Sequence, residues 1–255
     1  MELAMHTWMR AEPIEAALAR IAPLGYKSLE ISGEPERHDT AEIRGLLKKY
    51  GIRCFGAVTI MQGERNLLSA DPGARARSVQ YIKECLTMVS ELGGVEMSVV
   101  PATVGKITPD STPENEWQWA IDSLQEAYDH GLKHGVQLGI EPINRFETYF
   151  LNRGDQAIAL AEAVGPECGV CFDIFHMHME ESDVHAAIRR AGSRLIDFHV
   201  ADNNRFAPGM GTIDWPSVIE TLKSIGYDGP LSVEFCAPID RTPANPHPEA
   251  IDPNP

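Results

Sequence analysis

Four residues in the second half of the chain could act together. They are Glu141 in Gly139-Ile-Glu-Pro142, Asp173 in Cys171-Phe-Asp173, His199 in Phe198-His-Val200 and Glu234 in Val233-Glu-Phe235. Each closes a short apolar run. A single Asp or His at such a place reads as a cap or a satisfied core residue. Four in succession pose a harder problem, because carboxylates placed together repel and isolated charges are expensive to bury. A divalent cation resolves it. Three carboxylates and one imidazole make a hard, oxygen-rich set that suits Mn2+ first, with Mg2+ or Co2+ as alternatives, over a structural Zn2+. One such ion per chain would have two octahedral positions left for the oxygens of a hydroxy-ketone.

The segments after these residues carry further polar groups. His176 follows Asp173, and Arg205 lies in His199-Val-Ala-Asp-Asn-Asn-Arg205, continued by Pro208-Gly-Met-Gly211. Both are expected to hold substrate oxygens, with Glu147 in their network; Arg145 or Arg153 is an alternative, purely ionic partner for Glu147. Trp8 reads as a pocket wall or a core tryptophan, and Glu30 as a further pocket residue. His178 and Glu180 are expected to face solvent, as are His130 and His134, four apart on a helix. Cys168 and Cys171 form a C-x2-C, but residues three apart on a strand point to opposite faces, so the sulfurs should not converge.

The elements that must position these groups alternate from end to end. Strands are predicted at Glu2–Trp8, Lys27–Ser32, Ile52–Thr59, Val95–Val100, Gln137–Glu141, Cys168–Asp173, Leu195–Val200 and Pro230–Phe235. Helices are predicted at Glu12–Ala22, Thr40–Tyr50, Gly73–Leu92, Asp155–Val164, Glu181–Ala191 and Asp214–Ile225, the last capped by Asp214. Another starts at Ser111-Thr-Pro-Glu114, read as a capping box, with Trp117, Ile121, Leu124 and Tyr128 on one face. Eight strands separated by seven helices point to a parallel (β/α)8 TIM barrel, in which function sits where strands end. A doubly wound open sheet is the runner-up, though no G-x-G-x-x-G follows any strand. The catalytic barrel would span residues 1–235. The tail, 236–255, has six prolines and no helical period, so the eighth helix is missing or replaced by it.

Bulk properties narrow the function class. A net charge of -15 over 255 residues, without a Lys/Arg cluster, argues against nucleic acid. No apolar run is long enough to span a membrane. Met1 to Arg10 has no basic stretch followed by an apolar one, so a secretory signal is not expected. Five scattered cysteines suit a reducing compartment, so the expected location is cytoplasmic.

Taken together, Glu141-Pro-Ile-Asn-Arg-Phe-Glu147, Phe172-Asp-Ile-Phe-His-Met177, the His199–Arg205 segment with Pro208-Gly-Met-Gly211, and Val233-Glu-Phe235 resemble the xylose-isomerase-like sugar isomerases and epimerases. The likeness is above all to the D-tagatose 3-epimerase and D-psicose 3-epimerase group. It implies metal ligation by Glu141, Asp173, His199 and Glu234, acid/base roles for Glu141 and Glu234, and substrate contacts from Glu147, His176 and Arg205. The implied reaction is epimerisation of a ketose or keto-sugar acid by a homo-oligomer, a proton being removed and returned beside the carbonyl through an enediolate that the metal would stabilise as a Lewis acid. Rival outcomes on the same scaffold are β-elimination by a C-glycoside deglycosidase barrel with a small second subunit, aldose–ketose isomerisation, and sugar or metal binding without turnover. An AP endonuclease would need further histidines, and none occurs between His38 and His130.

Overall fold

The computed structural model describes residues 1–10 and 12–236. Eight parallel strands form a closed barrel in sequence order. They are β1 (Glu2–His6), β2 (Ser28–Gly33), β3 (Arg53–Thr59), β4 (Glu96–Val99), β5 (Gln137–Ile140), β6 (Gly169–Asp173), β7 (Leu195–Val200) and β8 (Pro230–Val233). Closure comes from β1 pairing with β8, Ala4 opposite Ser232 and Met5 opposite Val233. That pairing removes the open-sheet alternative.

Eight helices connect the strands: α1 (Ile14–Ile21), α2 (Thr40–Tyr50), α3 (Pro72–Glu91), α4 (Pro113–His134), α5 (Gly154–Val164), α6 (Ile174–Glu180), α7 (Val184–Ala191) and α8 (Trp215–Ser224). Their buried stripes follow from helical spacing: Val79, Ile82, Leu86 and Val89 of α3 are all buried. Among the described residues no helix is long and apolar enough to cross a membrane. The eighth outer helix and the Pro-rich tail were expectations about residues that, from 237 onward, lie outside the described ones.

Two connections differ from expectation. The segment read as one helix over Glu181–Ala191 begins at Val184, and α6 precedes it. Asp173 starts α6 at once, its Oδ1 accepting the Phe175 N–H at 2.9 Å. Asp183 starts α7, accepting from Ala186 N. At α4 the cap is Thr112, not Ser111, and Thr112 Oγ1 accepts the Asn115 N–H. No Ser111–Glu114 capping box forms; Glu116 instead accepts from the Asp110 and Ser111 N–H groups.

The period-two alternation of the strands divides the molecule into two chemistries. Leu29, Ile31, Met97, Val99, Leu138, Ile140, Val170, Phe172, Phe198, Val200 and Val233 face the helices and belong to the apolar core. The alternate positions are small or polar: Ala4, Ser28, Ser98, Gly139 and Ser232, with Glu30, Glu96 and Asp197, all buried. The barrel interior is therefore a polar shaft rather than stacked aliphatic layers. Gly56 of β3 shows how tightly the shaft is filled, since a Cβ there would lie 2.5 Å from Glu96 O and 3.0 Å from Glu96 Cγ. Gly56→Ala should lower stability by about 1–3 kcal/mol through overpacking. Urea unfolding that matches the wild type would show that β3 and β4 can separate freely.

Candidate metal centre

Strand register puts the four acidic and imidazole groups at one height. Asp173 pairs opposite His199 across β6 and β7. Glu141 and Glu234 each lie one residue beyond their strand, where the ladder has ended but the backbone is still tied: Glu141 N–H donates to Val99 O and Glu234 N–H to Val200 O. All four side chains are buried. One donor atom from each lies within 4.8 Å of the others. Ligand bonds of about 2.0–2.2 Å would hold donors within ~4.4 Å of one another, so the cluster is sized for one cation after small rotations.

His199 is its centre. Its Nδ1 lies 3.1 Å from Glu234 Oε2 and 3.4 Å from Glu141 Oε1. Both Nδ1 and Glu234 Oε2 are buried without a hydrogen bond. Two unpartnered polar atoms aimed at one point, with two further carboxylates around them, fit a divalent ion of the hard-ligand class. The other oxygen of Glu234 is engaged: Oε1 accepts from Trp8 Nε1 at 3.1 Å and meets Arg205 at 2.9 Å. Arg205 also donates to Asp173 Oδ2 and lies over the Phe175 ring.

Arg205 adopts a left-handed backbone, φ 63°, an uncommon conformation for a side chain of this kind. Its N–H donates to Asp202 O, and its own O accepts from Cys236 N–H. Asp202 shapes the loop, accepting from Asn203 N, Gly209 N, Ile213 N and Trp215 Nε1. A Cβ on Gly211 would collide with that carboxylate, which explains the glycine in Pro208–Gly211.

A cavity of about 90 Å³ opens above the cluster, bounded by Trp8, Glu141, Glu147, His176, Arg205 and Glu234, with Val58, Met61, Val104 and Ile143 on its apolar side. The sequence-predicted substrate groups therefore share one space. Trp8 is both wall and hydrogen-bond donor. Glu147 is held by Asn144 Nδ2 at 2.7 Å, while Arg145 pairs with Glu180 and Arg153 with Asp155. Glu180 was expected to face solvent, yet its side chain is only 4% exposed because Arg145 clamps it. His178 is exposed. His130 and His134 stack on each other on α4, away from the cluster. Cys168 and Cys171 stay unpaired, and Cys171 Sγ instead lies 3.3 Å from His199 Nε2. Glu30 does not line the cavity. It lies in the shaft below, 2.9 Å from His6 Nε2 and bonded by Ser232 Oγ.

Sequence reasoning missed two residues that touch the site. Asp197 Oδ2 lies 2.9 Å from His199 Nε2; it stands two residues before His199 on one strand, so strand periodicity alone places both on the same face. Asn144 bonds His176 Nδ1 at 2.7 Å as well as Glu147; no sequence periodicity marks it, because it sits in a loop.

The environment splits the carboxylates. Burial pushes Glu141 up to about 7, against the pull of His199. Burial also acts on Glu234, but Arg205, His6 and His199 outweigh it and hold the carboxyl well below its ordinary range. Burial opposes charge on His199, while Cys171 and the carboxylates of Glu30, Asp197 and Glu141 favour it and hold the imidazole well above its usual value. A cation at Nδ1 must displace that proton. Mn2+ uptake near neutral pH should therefore release at least one proton, and affinity should fall as pH drops below about 7, where Glu141 protonates. Calorimetry in buffers of different ionisation enthalpy reads this directly; proton-neutral uptake would contradict the assignment.

Comparison with known proteins finds relatives over most of the chain. The chain is 30% identical over 227 residues to a D-psicose 3-epimerase of Enterocloster bolteae, covering 84% of this chain and 74% of the relative. It is 26% identical over 219 residues to the 3-dehydro-D-guloside 4-epimerase of Escherichia coli K12, covering 82% of each. The crystal structure of a D-allulose 3-epimerase from Methylomonas sp., in complex with D-allulose, superposes with a TM-score of 0.87 at 26% identity, covering 93% of this chain and 84% of that one. Residues 18–252 match the xylose isomerase-like TIM barrel family, and the chain belongs to it.

Proposed function

We propose that this protein is a divalent-metal-dependent carbohydrate epimerase that inverts the carbon next to the carbonyl of a ketose or keto-sugar. The observation that carries the reading is the pair Glu141 and Glu234, which border one cavity from different strands, both within 3.4 Å of His199 Nδ1. The names of the relatives support the reaction class, since they are epimerases acting at different carbons. A cation held by Glu141, Asp173, His199 and Glu234, with Mn2+ as the first choice, would supply Lewis-acid polarisation of the carbonyl.

The chain's own groups do the rest. Glu234 is ionised and its Oε2 carries no hydrogen bond, so it is the carboxylate ready to take a proton. Glu141 borders the same cavity from another strand and lies 3.4 Å from the same His199 Nδ1, so it is placed to return one. Two carboxyls bordering one cavity from different strands are what a two-base inversion needs. His176 is buried against the cavity and kept neutral, pushed down to about 4 by burial, so its Nε2 serves as a hydrogen-bond donor without charge. Arg205 and Glu147 complete the polar rim.

Incubation of L-ribulose, D-psicose and a 3-keto-glycoside with the Mn2+-loaded protein in D2O should give an epimer carrying deuterium at the inverted carbon. Product without solvent deuterium would exclude the exchange of protons proposed for the two carboxyls. Glu234→Gln should cut turnover by about 10²–10⁴-fold; a variant retaining most activity would remove Glu234 from that role.

A further inference from the structure

His199 faces two ways. Its Nδ1 points to the mouth of the barrel, towards Glu141 and Glu234. Its Nε2 points down the shaft, 2.9 Å from Asp197 Oδ2 and 3.3 Å from Glu30 Oε2. A neutral imidazole offers a lone pair from one nitrogen only, and the partner of the other nitrogen decides which. Ionised carboxylates accept and do not donate. Two of them beneath Nε2 keep a proton there.

We propose that Asp197, backed by Glu30, is a positioning residue that fixes His199 as the Nε2–H tautomer and so presents Nδ1 as the metal-binding lone pair. This rests on the reading of His199 as a ligand. Asp197 is itself immobilised. It stands two residues before His199 on β7, and its Oδ1 accepts the Phe198 N–H at 2.7 Å. Oδ2 is thereby left to the imidazole. Glu30 is held in turn by Ser232 Oγ from β8 and by His6 from β1. The His6 ring stands edge-on to His199, centroids 4.5 Å apart and planes at 89°. Three strands thus clamp one ring in its plane and in its tautomer. A carboxylate behind a ligating imidazole raises ligand basicity as well as orienting it, and losing it costs about 10–100-fold in metal affinity in other proteins.

Asp197→Asn is the informative change because it preserves volume and one acceptor. Its amide can turn an N–H towards Nε2 and demand the lone pair there, which moves the ring proton to Nδ1, where the cation has to bind. Titration calorimetry with Mn2+ should show affinity about 10–100-fold weaker than wild type, with a metal-free melting temperature within about 4 °C of it. The double variant Glu30→Gln/Asp197→Asn should be weaker still. Independently of any variant, 15N spectra of the histidines in the wild-type protein loaded with diamagnetic Mg2+ should show His199 protonated at Nε2. A folded Asp197→Asn that binds Mn2+ as tightly as wild type overturns the proposal, and so does an Nδ1–H signal in the Mg2+-loaded protein. Should the variant fail to fold, the wild-type spectrum decides. A wild-type chain that takes up no divalent ion defeats the metal reading and this one together; intact wild-type binding with an unaffected variant defeats this one alone.

Discussion

Glu141, Asp173 and Glu234 converge on the one imidazole of His199 inside a closed barrel, and most of the structure follows from what that crowding costs. At an effective dielectric constant of about 20, two like charges 4 Å apart repel by roughly 4 kcal/mol. Three such pairs approach the whole stability of a domain, about 5–15 kcal/mol. The sequence therefore has to supply positive charge at the same place. Arg205 reaches in from the β7–α8 loop, bonding Asp173 and Glu234 together. The imidazole of His199, whose neighbours favour its charged form, supplies part of the remainder; the proposed cation would take over that part in place of the Nδ1 proton. Arg205 needs a left-handed backbone to do this, a conformation that the Asp202-centred loop holds in place.

The same electrostatic demand explains the inverted character of the barrel. A shaft filled with aliphatic side chains would leave the base of His199 without a polar partner, and an unpartnered ring N–H is expensive to bury. Instead the inward positions beneath it hold Asp197, Glu30, Ser232 and His6. Glu96 continues the series. Burial, followed by the charges of Asp197 and Glu30, raises its carboxyl well above the ordinary value, so it adds volume and polarity without another negative charge. Cohesion comes from the opposite faces of the strands, where Phe172, Phe198, Ile31 and Ile140 pack under the helices. Function occupies the inside of the sheet and stability the outside.

This division also explains how much could be read from the chain. The four candidate ligands were legible because each ends an apolar run, and strand ends in a parallel barrel share one height. The helices were legible where Gly or Pro bounds them, as Gly51 closes α2. Strand ends were overread by one or two residues at Trp8, Glu141 and Phe235, because the apolar run continues past the last paired residue: β1 gives way to a turn at Trp8, and β5 and β8 stop pairing at Ile140 and Val233. The short helix α6 was not read because it depends on Asp173 spending one oxygen on a helix start, which no local composition encodes. The place of Glu30 could not be read because a strand end says nothing of depth: the same alternation that aims Glu141 at the cavity aims Glu30 into the shaft. Asp197 was within reach of period-two reasoning and was hidden only by attention to strand termini.

The remaining question is why three similar carboxylates should take different parts. Their partners differ in kind. Asp173 has both oxygens tied to fixed donors, Oδ1 to the Phe175 N–H and Oδ2 to Arg205. With both oxygens held in place by charge-assisted or backbone bonds, it is suited to anchor. Glu234 divides its oxygens: Oε1 is held by Trp8 and Arg205, and Oε2 is open towards His199 Nδ1. It is oriented, ionised and still has a free lone pair. Glu141 meets His199 Nδ1 at 3.4 Å and, among the described residues, receives no hydrogen bond from a backbone or amide donor. Nothing rigid insists on its charge, and burial favours its neutral form. The proposed parts, one anchor and two proton carriers, thus match where each carboxylate's hydrogen bonds go.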